Sequence, residues 1–413
     1  MIKLIKSIFF IIVFSLILTA QERITISAVG DLMVHSTQFK YAQVDKDSFD
    51  FNPVFKYVKP IFDKSDFVIG NLETVVAGSK YGYSGYPLFN TPIDFLDGLM
   101  FAGFDYVSFA NNHSLDKGLQ GLINSLRNLR EKGIHYSGAN IDENEKDSLK
   151  IYEINKIKFA ILSYSYGSNL NPLTDRNDFH FNFIDKKEIK TEIKKYRDAG
   201  TDLIIMFYHF GNEYQRKPSP YQVDIVNASL EFGADVIIGA HPHVPQPIEI
   251  KHSSKSNIDS VLVAYSLGNF ISNQRWRYSD GGPIVNFTVE KDNSTNKLKL
   301  VSVDVIPTWV FKGNTENGSE YIIFPSQLSS KDFEIDYFSK SDYSEMSISF
   351  NDIKEIMIPQ ESKIVKLYWP YKSNFSEISF KSFEIVTPQR DFSKELTYEQ
   401  ESKFIHNFSN GIY

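Results

Sequence analysis

Cysteine is absent from all 413 residues. That removes disulfides, thiolate ligands and lipid attachment through a cysteine together, so any bound metal must be held by nitrogen and oxygen donors. Concentrated basic runs are missing too. The 44 lysines and arginines face 51 acidic residues, a formal charge of −7, which argues against a phosphate-backbone grip on nucleic acid. No glycine-rich loop ending in lysine is present to cradle a nucleotide, so ATP-driven polymerisation is not written into this chain. Apolar runs of membrane-spanning length are lacking as well. The run Ser7–Leu18, behind Lys3 and Lys6 and ahead of Thr19 and Ala20, falls short of the roughly 20 residues a span needs. It reads as a signal peptide over residues 1–20, which places the protein in the periplasm or cell envelope. Leu18 is bulky for a cleavage site, so an uncleaved segment holding the protein to the membrane is the alternative.

What is present is an ordinary globular composition, 42% hydrophobic and 23% charged, in a chain long enough for two or three domains. Apolar strands recur, and most stop on a polar donor. Ile24–Gly30 is followed by Asp31, and DFVIGNLE (Asp66–Glu73) ends on a carboxylate. Tyr106–Ala110 runs into Asn111, Asn112 and His113; Asp202–Tyr208 runs into His209, then Glu213. VIIGAHPHVPQPIE (Val236–Glu249) presents His241 and His243, which an extended backbone would point to one side. Val261–Ser266 leads to Asn269.

Helical spacing marks Pro53–Phe62, Asp94–Ala102, Gly118–Lys132, Asp185–Gly200 and Pro220–Phe232 between these strands, which predicts an α/β fold. Ile151–Tyr164 reads as a hairpin turning at Asn155 and Lys156, and Ile284–Glu290 with Leu298–Val305 as an antiparallel pair at a sheet edge. Asn273–Gly282 reads as an exposed basic-aromatic loop. The pattern changes after Val310, dividing the chain into a main domain over 24–310 and a β-rich or mixed accessory region over 311–413.

Each strand end has an ordinary reading alone. Gly-Asp and Asn-Asn-His are good turns, and paired histidines often bond only to backbone. Five ends that all carry oxygen or imidazole donors are poorly explained by turn chemistry. Asp31, Glu73, Asn112, His209, His241 and His243 suit two adjacent divalent ions with Glu73 between them; the set does not separate Mn, Fe, Zn and Mg. Two such ions activate a shared water and stabilise attacking and leaving oxygens. His113, beside Asn112, is then free to protonate a leaving group. Asp116 reads as a supporting or capping group, Asn269 as a supporting or substrate-contacting one, and Glu213 as a ligand, a substrate contact or a loop carboxylate.

GD at Asp31, GNLE at Glu73, ANNHSLDKG around His113, HFGNE at His209, GAHPH at His241 and SLGNF at Asn269 together resemble the bacterial capsule synthesis family of CapA type, associated with poly-γ-glutamate, across about Ile24–Phe270. That family is similar to the calcineurin-like metallophosphoesterases. The resemblance implies a two-sheet sandwich flanked by helices (αββα), metal ligands at the six donors above and a proton donor at His113. Met33 stands where calcineurin-like enzymes carry a histidine, and Glu73 where they carry an aspartate; His35 is a substitute ligand or, more simply, a turn residue. Three functions follow as expectations: a phosphoesterase-like hydrolase of the envelope, a non-catalytic accessory for export or attachment of an anionic polymer, or a γ-glutamyl amide hydrolase or transferase. Each would work with capsule polymer machinery, including an ATP-using ligase partner.

Overall fold

The computed structural model describes residues 22–170, 179–292, 294–326, 335–359 and 362–368. The expected signal peptide over 1–20 lies outside them, as does the chain beyond 368. The first strands are β1 (Glu22–Leu32), a small ribbon of β2 (Gln43–Asp45) and β3 (Ser48–Phe49), then β4 (Phe67–Leu72), β5 (Tyr106–Ser108) and β6 (His135–Ser137). The hairpin β7 (Tyr152–Ile154) and β8 (Ile157–Ser165) precedes β9 (Leu203–His209), β10 (Val236–Ala240), β11 (Ile248–Lys251) and β12 (Val261–Ala264). Last come β13 (Asn269–Ile271), β14 (Pro283–Lys291), β15 (Leu298–Thr315), β16 (Gly318–Pro325) and β17 (Val365–Leu367).

They form two large sheets. One runs β16-β15-β14-β1-β4-β5-β6, with β13 beside the end of β1 and β17 beside β15; the other runs β11-β12-β10-β9-β8-β7. The strands β1, β4, β5 and β6 are mutually parallel, as are β8, β9, β10 and β12. Parallel neighbours need crossovers, and the predicted helices supply them. Residues two apart on a strand share a face, and the alternation assigns the layers. Ile26 and Ala28 of β1 pack with Ile205, Phe207 and Ile238 of the second sheet, while Val29 and Leu32 face the other way onto Phe55, Phe62, Leu99 and Leu126. Ile189, Ile193, Ile225 and Leu230, from the helices Lys186–Asp198 and Pro220–Phe232, cover the outer side of the second sheet. The result is the expected helix-sheet-sheet-helix order.

Four local expectations change. Pro53–Phe62 is two single-turn helices, Asn52–Phe55 and Lys59–Phe62, each with proline near its start. The β14 strand lies between β1 and β15, inside the sheet. Position 310 falls within the long strand β15, and β16 pairs along its second half, so residues just beyond 310 continue the first sheet. Trp309, Phe311, Ile322 and Phe324 join Tyr343 and Met346 of the helix Lys340–Met357 in a third apolar cluster. Finally, no residue of 273–282 is fully exposed: Arg277 makes two 3.1 Å bonds to the Asp352 carboxylate and Arg275 lies 3.4 Å from Glu345, both on that helix.

Candidate metal centre

Two glycines explain why these strand ends meet. A Cβ on Gly30 would lie 1.9 Å from the Gly268 carbonyl oxygen, and one on Gly239 would lie 1.9 Å from that of Tyr265. Neither separation is tolerable for a side chain, so only glycine lets the backbones close. A bulge in β1 between Ala28 and Asp31 re-aims the strand end, and Asp31 N–H then donates to Gly268 O at 2.8 Å. Asp31 is thereby registered beside Asn269.

The turn after β5 divides its labour. Asn111 donates to Leu72 O at 2.8 Å and accepts from His113 N–H at 3.1 Å, while Ser114 donates to Phe109 O at 2.8 Å. With Asn111 and Ser114 holding the turn, Asn112 and His113 are available to the cleft. His241 and His243 also converge, their rings 6.0 Å apart, but not by strand alternation. The β10 strand stops at Ala240, and both histidines adopt left-handed backbone, φ 96° and 59°. That conformation disfavours side chains with a Cβ, and its occurrence at two candidate ligands two positions apart points to a functional turn.

The six donors form two overlapping groups. Glu73, His209 and His241 have ligand atoms within 4.8 Å of one another, and so do Asp31, Glu73 and His243. Asn112 joins the first group, its Oδ1 3.0 Å from His209 Nε2. Glu73 belongs to both, as a bridging residue must. All six are buried. Both carboxylate oxygens of Glu73 and Nδ1 of His241 are buried without a hydrogen-bond partner. Orphaned charged or polar atoms at such depth are costly unless an ion satisfies them, so the donors fit the metal expected for them.

The electrostatics agree. Burial pushes the Glu73 carboxyl well above the usual carboxylate range, and the carboxylates of Asp31, Glu213 and Asp116 push it further. Burial, then neighbouring imidazoles, holds His209 and His241 well below the ordinary histidine value, which keeps them neutral and ready to ligate. Burial also lowers His243, but the Asp31 carboxylate 3.1 Å from its Nδ1, with Glu213 and Asn269, outweighs this and leaves it raised.

The remaining candidates fall around this core. His113 Nδ1 is 2.7 Å from Asp116 Oδ2, which also accepts Phe89 N–H at 2.7 Å, and Phe89 packs edge-on against the imidazole at 4.7 Å between centroids. Asn269 Oδ1 is 3.2 Å from His243 Nδ1, so it orients that ligand. Glu213 comes within ligand distance of His241 and His243. His35 begins the helix Ser36–Ala42, donating its N–H to Gln38, and its Nδ1 accepts from Asn273 N–H. Burial drives its pKa down to about 4, and it enters none of the donor groups, which is the turn role.

Two contributors escaped the sequence reading. Asn71 donates to Asp31 Oδ1 at 2.9 Å and lies 3.2 Å from His209 Nδ1, tying the two halves together. Its signal was its position two before Glu73, which puts both on one side of the chain. Tyr166, just past β8, lays its ring 4.6 Å from that of His241 and nearly parallel to His209. Nothing in SYSYG distinguished it from core.

Fold and site together define an αββα protein with a candidate metal centre where the carboxyl edges of its sheets meet. Residues 25–274, more than half of the chain, match the model of a family described as bacterial capsule synthesis protein PGA_cap, and the chain belongs to that family. It is similar to the capsule biosynthesis protein CapA of Bacillus anthracis, 26% identical over 69% of this chain and 68% of that one. To the PGA biosynthesis protein CapA of Bacillus subtilis (strain 168) it is 27% identical, over 69% and 73%. Among solved structures, the calcineurin-like phosphoesterase YfkN from Bacillus subtilis superposes with a TM-score of 0.41 at 14% identity, covering 81% of this chain and 99% of that one. The NAD nucleotidase NadN of Haemophilus influenzae gives 0.42 at 13% identity, over 84% of this chain and 57%, under two thirds, of that one. No helix among the described residues is long and apolar enough to cross a membrane.

Proposed function

We propose that this protein is a metal-dependent hydrolase of the phosphoesterase type, working at the cell envelope in the assembly or processing of a capsule polymer. Glu73 carries the reading: it belongs to both donor groups, and both its carboxylate oxygens are buried without a hydrogen-bond partner, a wasteful arrangement unless ions are shared there. Asp31, Glu73 and His243 would hold one divalent ion, and Glu73, Asn112, His209 and His241 the other. When bound, such a pair supplies an activated water and charge stabilisation at the reacting centre.

The chain's own groups supply the rest. Asp116 accepts Nδ1–H of His113 and sets the ring's direction, so that Nε2, 3.4 Å from Asn169 Nδ2, is the nitrogen that can pass a proton to a leaving oxygen when the ring carries two. Tyr166 roofs His209 and His241, keeping bulk water off that side. The relatives' names support a capsule or PGA-biosynthesis setting; an ATP-using ligase as partner and export across the inner membrane complete the proposal.

A second reading has one observation behind it. Met33 leaves the Asp31 half with three protein donors, which suits ions that merely clamp polymer carboxylates without turnover. The deciding experiment is metal analysis of the purified protein followed by assay on bis(p-nitrophenyl) phosphate and on poly-γ-glutamate. Hydrolysis of the diester that Glu73→Gln abolishes supports the hydrolase. Metal with polymer binding and no turnover supports the clamp, and metal at trace level overturns both.

A further inference from the structure

We infer that Glu213 sets the charge class of the substrate: it selects a phosphodiester, with one negative charge at the reacting group, and rejects a phosphomonoester dianion. This rests on the two-ion reading above.

The residue is held in place by a rigid loop. Gly211 adopts φ 111° with the Gln222 amide 2.6 Å from where its Cβ would be, so only glycine fits. Tyr214, at φ 60°, donates its N–H to Pro242 O at 2.8 Å, locking the loop onto the segment between His241 and His243. Between these pins the Glu213 carboxylate reaches within 4.8 Å of the ligand atoms of both histidines. The residue is partly buried, and its carboxylate is among the charges that raise Glu73 and His243.

Its environment gives the charge nothing to cancel against. Among the described residues, no lysine or arginine is ion-paired with Asp31, Glu73 or Glu213; the pairs made by Asp31 and Glu73 are to His209 and His243. The arginines of the neighbouring loops are committed elsewhere, Arg216, Arg275 and Arg277 to Glu355, Glu345 and Asp352 of the helix Lys340–Met357. Two divalent ions bring four positive charges against the three carboxylates Asp31, Glu73 and Glu213. With the bound water still neutral, as it is when ligand binds, one net positive charge remains, which a monoanionic diester neutralises and a dianionic monoester overshoots. Without Glu213 the balance would be two, the value a dianion needs. A carboxylate a few ångströms from the reacting group in a partly screened cleft is worth about tenfold per extra ligand charge.

The test compares wild type with Glu213→Gln and Glu213→Asp, each loaded with manganese. Metal content is measured first, then binding of dimethyl phosphate and of inorganic phosphate at pH 8 by calorimetry, then kcat/KM on bis(p-nitrophenyl) phosphate and p-nitrophenyl phosphate. The expected result is unchanged metal content, an about tenfold shift of binding and turnover toward the dianions in Glu213→Gln, and wild-type selectivity in Glu213→Asp. Loss of one equivalent of metal in Glu213→Gln would make Glu213 a ligand and overturn the inference. So would an unchanged ratio of dianion to monoanion in a metal-loaded, folded variant. Absence of turnover in wild type with the binding shift intact would count against the hydrolase reading alone.

Discussion

The two halves of the centre hold comparable groups in different states. Asp31 and His243 have found each other at 3.1 Å, and Asn71 and Asn269 attend them. Across the bridge, Nδ1 of His241 has no hydrogen-bond partner, nor has either oxygen of the shared Glu73; His209 is engaged, by Asn112 and Asn71, and four donors converge there against three. A satisfied group must give up its contacts to take an ion; an orphaned one gives up nothing and escapes a standing penalty. On the two-ion proposal, the half built around His209 and His241 would therefore be the tighter site, and the half around His243 the weaker.

Removing the shared residue should erase the difference. Glu73→Gln is expected to lose both ions and all measurable hydrolysis, read by metal analysis and diester assay. In the metal-free protein the same change should stabilise the fold. The raised Glu73 pKa means its contribution is fully present below the ordinary carboxylate pKa and is lost as pH rises through the raised value. Metal-free Glu73→Gln should thus be more stable than metal-free wild type at pH 8, by roughly 1–3 kcal/mol, read as a higher melting temperature, and the gap should close toward pH 4. A variant that melts lower at pH 8 would show that Glu73 is satisfied after all.

His113→Ala touches neither half. It should keep both ions while turnover on the diester falls by about 10²- to 10⁴-fold, and loss of metal would place His113 among the ligands instead. Single-ligand variants separate the halves directly. His209→Ala should remove the tighter ion and His243→Ala only the weaker, each by more than the roughly 10- to 100-fold that losing a supporting partner costs. Competition with a graded chelator checks the order; equal loss from both variants would dissolve the asymmetry.

The donors of both halves were legible because each follows a short apolar run. Their meeting was not legible from local pattern: Asp31, Glu73 and Asn112 come from one sheet and His209, His241 and His243 from the other, and strand order is a long-range property. The family resemblance supplied what periodicity could not. His241 and His243 were rightly paired for the wrong reason, since left-handed backbone and not an extended segment turns them together. Asn71 was hidden inside a strand that is buried throughout. The basic loop at 273–282 looked like surface because its carboxylate partners lie some 70 residues away on the helix Lys340–Met357.

The smallest expected effect is the sharpest test of why the halves differ. Met33 is buried two residues after Asp31, its sulfur 4.0 Å from Ser272 Oγ, so the position lies on the Asp31 side of the centre and offers no hard donor. Met33→His would bring the weaker half to four protein donors. If donor number is what separates the sites, the weaker ion should tighten by about tenfold, the scale on which metal affinity answers to a change in its surroundings, while the tighter ion is unmoved. An unchanged weaker ion in a protein that still melts like wild type would mean that the Asp31–His243 contact, and not the missing donor, limits binding there. Asn269→Ala then decides between them, because loosening His243 from its second acceptor shifts the weaker ion only if that contact is in control.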